Sequence, residues 1–271
     1  MIHFFRNRVL TAVFVLTSLA LFNAKADLAS CGVNLGEAGN GNWAIFTLGN
    51  GVKQNLNMSG QSFVTGDVGA AGNGNVLLGS GQATINGNLY QHRGGKLSGP
   101  GTITGRTFQD AATDAFLDDA AADAQEASDA AFGMLATPPY QSLTNINQTM
   151  TITGSGKVVL QLQTLNLSSG TLTLSGAAGT CFIINVQNQF SLSNSAQIVL
   201  SGGVRPQDVL FNVYGTGSQV TLSGSSQFNG ILLATKRTVN ISGQTQVRGE
   251  VIANSVVVSG NASVVTPTTN R

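Results

Sequence analysis

The sequence predicts a mostly β protein, a discontinuous three-faced β-solenoid with one long α-helix packed alongside. Three observations support this fold class. Short strand-like runs close on Ser-Gly, at an average step of roughly 20 residues, which is typical of solenoid circuits. A second set of strand-like runs is apolar at nearly every position. An alanine-rich segment with helical periodicity interrupts the strand pattern.

The Ser-Gly runs alternate apolar and polar residues, as a strand with one buried face does. Three successive examples are 220–223, 239–242 and 256–259. In these runs valine, leucine and isoleucine are expected to point inward, whereas Thr221, Asn240 and Val257 point outward. The steps between runs are unequal, so we expect circuits of unequal length.

The second set of runs comprises 181–186, 209–213, 231–234 and 251–253. Continuous apolar character is typical of strands covered on both faces. One face would fill the solenoid interior, and the other needs a separate cover. The residues expected under that cover are Ile183, Leu210, Leu232 and Ile252.

We expect residues 107–133 to form a helix that supplies this cover. Pro138-Pro139 prevent the helix from continuing. Its predicted packing stripe is Thr113, Phe116, Leu117, Ala120, Ala124, Ala127 and Ala131. The acids predicted outside that stripe are Asp110, Asp114, Asp118, Asp119, Asp123, Glu126 and Asp129. Calcium needs six to eight convergent oxygens, which single carboxylates along a rigid helix do not offer. We therefore interpret the acids as a solvated face and expect no metal site.

Residues 1–26 have the features of a secretory signal peptide. Arg6 and Arg8 precede an apolar stretch, and Ala24-Lys25-Ala26 is an A-x-A cleavage site. The stretch is too short to span a membrane, so we expect export without membrane anchoring. Residues 27–271 then form a single solenoid domain, interrupted by helix 107–133. An alternative is that Leu28-Ala29-Ser30-Cys31 is a lipoprotein cleavage box, which would leave Cys31 lipidated.

Cys31 and Cys181 are the two cysteines of the chain. In an exported protein two cysteines most simply form one disulfide. The predicted bridge would tie the N-terminal segment to the circuit that contains Phe182.

Charged residues make up only 9% of the chain. Of the 13 basic residues, Arg6, Arg8 and Lys25 lie in the leader, so ten remain against 12 acids, a net charge of −2. Nucleic acids and anionic membranes both require a basic surface and are not expected as partners. His92 has no cysteine or aspartate at nucleophile or metal spacing, and no local pair of carboxylates is present. We therefore expect neither an enzyme nor a bound cofactor.

From about residue 43 to 265, the chain resembles the ice-binding proteins of bacteria, fungi and algae that are built on a discontinuous β-solenoid with a flanking helix. Besides the alanine-and-aspartate helix, the segments that carry the resemblance are Trp43-Ala44-Ile45-Phe46, Val64-Thr65-Gly66-Asp67-Val68-Gly69, Gly170-Thr171-Leu172-Thr173-Leu174, and residues 181–186, 209–214, 228–234 and 247–253. These motifs are mostly core and corner residues, so they are more specific for fold than for activity.

The resemblance implies reversible adsorption to ice through a flat, uncharged, hydroxyl-bearing sheet face. The candidate face is the outward side of the Ser-Gly runs, comprising Ser191, Ser193, Thr221, Ser223, Thr238, Asn240, Ser242, Ser255, Val257 and Ser259. The strand side with Gln227, Gln246 and Arg248 is less suitable because of its charge. The alternative function is a secreted structural or adhesive envelope protein that contacts glycans or neighbouring copies of itself and lacks ice activity.

Overall fold

The computed structural model describes residues 28–39 and 41–266, and the predicted signal peptide lies outside them. The chain is mostly β with one α-helix, as predicted. In chain order the elements are β1 (Ile45–Thr47), β2 (Leu56–Gly60), β3 (Phe63–Thr65), β4 (Val68–Ala70), β5 (Val76–Gly81), β6 (Thr84–Asn86), β7 (Leu89–Gln91), β8 (Leu97–Ser98), β9 (Thr102–Ile103), β10 (Thr107–Phe108), α1 (Ala111–Phe132), β11 (Asn145–Ile146), β12 (Met150–Thr153), β13 (Lys157–Leu167), β14 (Thr171–Ser175), β15 (Cys181–Leu192), β16 (Gln197–Ser201), β17 (Val209–Val213), β18 (Val220–Leu222), β19 (Gln227–Ile241), β20 (Gln246–Val258) and β21 (Ser263–Val265).

The strands pair in parallel and fall into three series. The first series runs β10-β7-β4-β1-β20-β19-β17-β15-β13. The second runs β8-β5-β2-β20-β19-β18-β15-β13-β11. The third runs β9-β6-β3-β21-β20-β19-β16-β14-β12. Long strands such as β19 and β20 turn corners and contribute to all three series, so each circuit of the chain adds a strand to each.

The last circuit of the chain pairs with the first, which makes the arrangement discontinuous. Ile45 registers with Val251 in the first series, Leu56 with Val256 in the second, and Phe63 with Ser263 in the third. We call this junction the seam. Strands β10 and β11 lie at opposite ends of their series, and α1 lies between them in the sequence.

The helix begins at Ala111, four residues later than residue 107, where the sequence analysis placed its start. Thr107 and Phe108 instead pair with Leu89 and Tyr90 as a short edge strand. Asp110 then caps α1, because its side chain accepts a hydrogen bond of 2.8 Å from the Thr113 N–H. The helix ends at Phe132, one residue before the predicted end.

The helix packs against the outer side of the first series, and its buried stripe includes Leu117, Ala120, Ala124, Ala127 and Ala131. Ile183, Leu210 and Ile252 belong to the same apolar cluster, as predicted. The prediction for Leu232 was wrong. Leu210 registers with Ile231, so Leu232 points into the interior, and the helix side receives Ile231 and Leu233.

A ladder of amides, which the sequence analysis missed, also fastens the C-terminal half of α1. Gln161, Asn185 and Asn212 stand side by side on β13, β15 and β17. Asn185 Nδ2 donates to the Ala131 carbonyl at 2.7 Å, and Asn212 Nδ2 donates to the Ser128 carbonyl at 2.9 Å. These amides add side-chain donors to two backbone carbonyls near the end of the helix and so tie α1 to the first series.

Asp114 also departs from the prediction of an exposed acid row. Its carboxylate is 11% exposed and accepts a bond of 2.5 Å from Arg93 Nε. The Arg93 backbone N–H donates to the other oxygen at 2.9 Å. Asp114 therefore anchors the first turn of α1 to the loop after β7.

The predicted disulfide is present. Cys31 and Cys181 are bonded, with a Cα–Cα distance of 6.5 Å, and join the N-terminal segment to β15. A sulfur in this bond cannot carry a lipid thioether, so the lipidation alternative for Cys31 is not retained. Within the described residues, no helix has the length and apolarity needed to cross a bilayer.

Candidate functional site

The outward side of the second series carries two uncharged rows of side chains, which together we call the second-series surface. The middle row is built by direct pairing from strand to strand and crosses the seam without a shift in register. Its members are Asn166, Ser191, Thr221, Asn240, Val257, Asn57, Leu77 and Ser98.

The strands alternate as the sequence predicted. Val220 and Leu222 are fully buried on either side of Thr221, which is half-buried on the outer side. The same alternation holds in the next circuit, where Val239 and Ile241 flank Asn240. Inward anchors on both sides of each outward residue hold its Cα in place, so the row is rigid.

The second row follows the middle row at the end of each strand and consists of Ser193, Ser223, Ser242 and Ser259. All four are half-buried. Their backbone N–H groups donate to the carbonyls of Leu167, Leu192, Leu222 and Ile241 at 2.8–2.9 Å. These bonds extend the parallel register past the strand ends and keep the serines in line.

Stacked glycines form the corner beyond the serine row. Gly243 has a φ of +75°, and a Cβ there would lie 2.5 Å from the Gly224 carbonyl oxygen. Gly260 repeats this close approach over Gly243. Positive φ together with a close backbone approach requires glycine, which explains the glycines that follow Ser242 and Ser259.

Two predicted surface residues lie outside these rows. Thr238 and Ser255 pair at the opposite strand end, and their hydroxyl oxygens are 2.8 Å apart. Thr238 is half-buried, but Ser255 is only 6% exposed. Ser255 therefore lies on the outward side of the strand, where it alternates with buried Val256, but it is not exposed as a member of the predicted surface should be. The hydroxyl is satisfied by Thr238 at a corner where β19 and β20 shift register.

A cage of carbonyls buries one charged side chain at the corner beside this surface. Arg237, beside Thr238, is 3% exposed. Its guanidinium donates to the carbonyls of Gly215 at 3.0 Å, Asn188 at 2.6 Å and Tyr214 at 2.9 Å, and also to those of Ser218 and Gln187. Burial lowers the pKa of this guanidinium below its usual value. The buried charge thus fastens the corner from within, and the members of the two rows themselves carry no charge.

The outer side of the third series is less uniform. Gln197, Gln227 and Gln246 stand in register there, and exposed Arg248 lies beside them. The loop with Pro206 borders an open groove of 460 Å³ on this side. Charge and a protruding loop distinguish this side from the second-series surface.

Across residues 28–39 and 41–266, no group of three or more His, Cys, Asp or Glu side chains could hold a metal ion. His92 lies 3.9 Å from Asp114, within the contact that anchors α1.

Four members of the middle row were missing from the sequence prediction, namely Asn57, Leu77, Ser98 and Asn166. Asn57 reaches the row only because β2 pairs with β20 across the seam, about 200 residues away in the chain. A local signal did exist, since residues 56–60 read Leu-Asn-Met-Ser-Gly and have the same alternation and the same Ser-Gly ending.

These features define a class of mostly β proteins with parallel strand circuits, one α-helix laid alongside, and an uncharged sheet surface. The model of the ice-binding-like family matches residues 52–266. The chain belongs to that family, which confirms the resemblance found in the sequence.

Individual relatives agree with this assignment. An ice-binding protein of Flammulina populicola is 32% identical over 96 residues, which cover 35% of this chain and 37% of that protein. The match thus spans little more than a third of the relative's length. The crystal structure of an ice-binding protein from Antarctomyces psychrotrophicus has a TM-score of 0.58 at 22% identity, covering 88% of this chain and 100% of the other. A glycosylated ice-binding protein from an Arctic yeast has a TM-score of 0.64 at 20% identity, with coverage of 89% and 96%. At these identities the two structures establish the fold.

Proposed function

We propose that this protein is a three-faced β-solenoid that binds ice through its second-series surface. The three strand series would be the three faces, and residues 27–271 would form one domain. The observation that carries the proposal is the middle row, in which uncharged side chains stand in direct register across the seam. Family membership supports the choice of ice as the partner.

The geometry suits a crystalline ligand. Neighbouring members of the middle row lie about 4.7–4.9 Å apart along the stack, because that is the spacing of paired strands. The serine row lies two residues further along each strand, roughly 6.6 Å away. A rigid two-dimensional array has already lost its conformational entropy, so ordering water against it costs less than on a mobile loop.

The chemistry of the surface is suitable as well. Hydroxyl and amide groups such as those of Thr221 and Asn240 can hydrogen-bond to water in an ice lattice. Val257 and Leu77, which belong to the same row, add apolar contact area between the polar groups. An ionic side chain would hold its own hydration shell, and the burial of Arg237 removes one such side chain from beside the rows.

Export by the predicted leader would bring the protein to where ice forms. The proposed function requires no catalytic step, cofactor, nucleic acid or membrane. The alternative of glycan adhesion would use exposed aromatic side chains, and three of the candidates are engaged within the protein. Trp43 is buried, Tyr90 stacks on Phe108, and Tyr214 stacks on Phe132 at a centroid distance of 3.8 Å.

The purified protein, residues 27–271, should shape a single ice crystal and produce thermal hysteresis. The measurement is cryomicroscopy of one seed crystal held just below its melting point, with serum albumin at equal concentration as the control. We expect faceted growth and a gap between the freezing and melting temperatures. Round crystals without a gap, together with unchanged recrystallisation, would reject ice binding while leaving the fold intact.

A further inference from the structure

A single carboxyl group is buried at the seam. Glu250 belongs to the first series, where it pairs with Ile231 of β19, and its other neighbour is Ala44, just before β1. The row continues from Ile231 through Leu210, Ile183 and Val159, which are all buried apolar residues. Glu250 is thus an ionisable side chain at the point where an apolar row meets the N-terminal strands.

The carboxyl group has one partner for its two oxygens. Oε1 accepts a bond of 2.6 Å from the Gly41 N–H, whereas Oε2 is buried without a hydrogen-bond partner. The residue is 3% exposed. In the described part of the chain, the ion pairs are those of Asp114 and Asp208, and none involves Glu250.

The charged residues on the surrounding elements do not neutralise Glu250. Four of them are Arg248 on its own strand, which is exposed, Glu37 in the N-terminal segment, Asp123 on α1, and Asp67 beside Ala44. The short helix that packs on β19 and β20 adds Arg205 and Asp208, which form an ion pair with each other. Three of the first four are acids, and the Arg205 guanidinium is already paired with Asp208. Burial raises the pKa of Glu250 to about 8, although the Gly41 N–H acts in the opposite direction.

The partner of Glu250 lies in a segment that is buried against α1 and the first series, and Trp43 of this segment packs on Phe46, Tyr90 and Phe116. The Cys31–Cys181 disulfide fixes one end of this segment. Trp43 Nε1 donates to the Glu37 carbonyl at 2.7 Å, and the Glu37 N–H donates to Asp123 at 2.8 Å. Glu250 is therefore the point at which residues 41–44 are attached to the last circuit by a side chain.

We propose that Glu250 is a pH-sensitive latch that holds residues 41–44 closed over the seam. When the carboxyl is neutral, it can stay buried against Gly41. When it ionises, the apolar row and the unpartnered Oε2 leave a buried charge uncompensated, so water must enter. Opening then separates the segment from the seam while the disulfide keeps it tethered, which makes the change local and reversible.

The way in which the stability of the closed state changes with pH follows from the linkage between proton binding and closure. A carboxyl in the unfolded or open segment has a pKa near its ordinary value of about 4.3. The closed state therefore binds the proton more tightly. Its stability is complete below about pH 4.3, falls progressively as the pH rises above that value, and has been lost once the pH passes about 8.

Trp43 is the only tryptophan in the chain, is 1% exposed, and lies two residues from Gly41. Its fluorescence therefore reports on the latch directly. In the disulfide-bonded protein, we expect acrylamide quenching of Trp43 to increase several-fold between pH 6 and pH 9, with a red-shifted emission. Far-UV circular dichroism should stay constant across the same range.

Glu250→Gln keeps the shape and removes the ionisation, so its quenching should stay flat from pH 6 to pH 9. Glu37→Gln, which alters an exposed carboxyl in the same segment, should titrate like the wild type. Tyr90 contacts Trp43, but burial raises its pKa above the ordinary 10, with Asp67 acting in the same direction, so it stays neutral in this range.

Two outcomes would overturn the proposal that Glu250 is a pH-sensitive latch. One is wild-type quenching that does not change from pH 6 to pH 9. The other is Glu250→Gln with the same pH dependence as the wild type. If Glu250→Gln does not fold, carboxyl ¹³C NMR of the wild type decides the question. One glutamate should titrate above pH 7, and titration of every glutamate below pH 6 would contradict the proposal.

Discussion

Ala124→Glu is expected to destabilise the protein by about 3–5 kcal/mol, because it forces a carboxylate into a dry, closely packed contact. Ala124 is completely buried in the cluster that joins α1 to the first series, where Leu210 and Ile231 lie opposite the helix. In that contact a larger side chain has no room and a charge has no partner. The measurement is the free energy of unfolding from guanidinium titration at pH 7.

The matched control is Ala122→Glu, which makes the same change two residues away on an exposed part of the same helix. Its effect should stay within about 0.5 kcal/mol, as for most surface substitutions. Equal unfolding free energies for the two variants would mean that α1 does not pack on the first series as described.

The double variant Cys31→Ser/Cys181→Ser should lose about 4–5 kcal/mol of stability. The bridge closes a loop with a sequence separation of 150 residues, and the chain-entropy estimate for so long a loop is of this size. Guanidinium denaturation without reductant measures the difference. Reductant should lower the unfolding free energy of the wild type towards that of the variant and leave the unfolding free energy of the variant unchanged. Identical midpoints for both proteins, or two free thiols in the unreduced wild type, would contradict the bridge.

The features that the sequence predicted correctly rest on local patterns. Strict alternation in 220–223 and 239–242 fixes which residues point inward, because each strand has one buried and one exposed side. The alanine stripe likewise identifies the packing side of α1. The disulfide followed from the number of cysteines and from the expected export.

The predictions were wrong where the local sequence pattern does not determine the orientation or burial of a residue. In 231–234 every position is apolar, so no alternation shows that Ile231, and not Leu232, faces the helix. Thr107 and Phe108 continue the helical composition, yet pairing with β7 makes them a strand. Ser255, Arg237 and Glu250 look like ordinary surface residues, and their burial depends on partners 17 to 209 residues away. Such long-range packing cannot be obtained from spacing alone.

The most direct test of the proposed ice-binding surface compares three threonine-to-tyrosine variants by thermal hysteresis. Thr221→Tyr places a bulky ring in the centre of the middle row, while the inward anchors Val220 and Leu222 remain. Thr173→Tyr makes the same change on the third series, and Thr216→Tyr makes it on an exposed loop. With equal melting temperatures for all proteins, we predict that Thr221→Tyr loses most of the hysteresis and that the other two variants keep it. Full hysteresis in Thr221→Tyr, or its loss in Thr173→Tyr instead, would show that ice binds elsewhere on the protein.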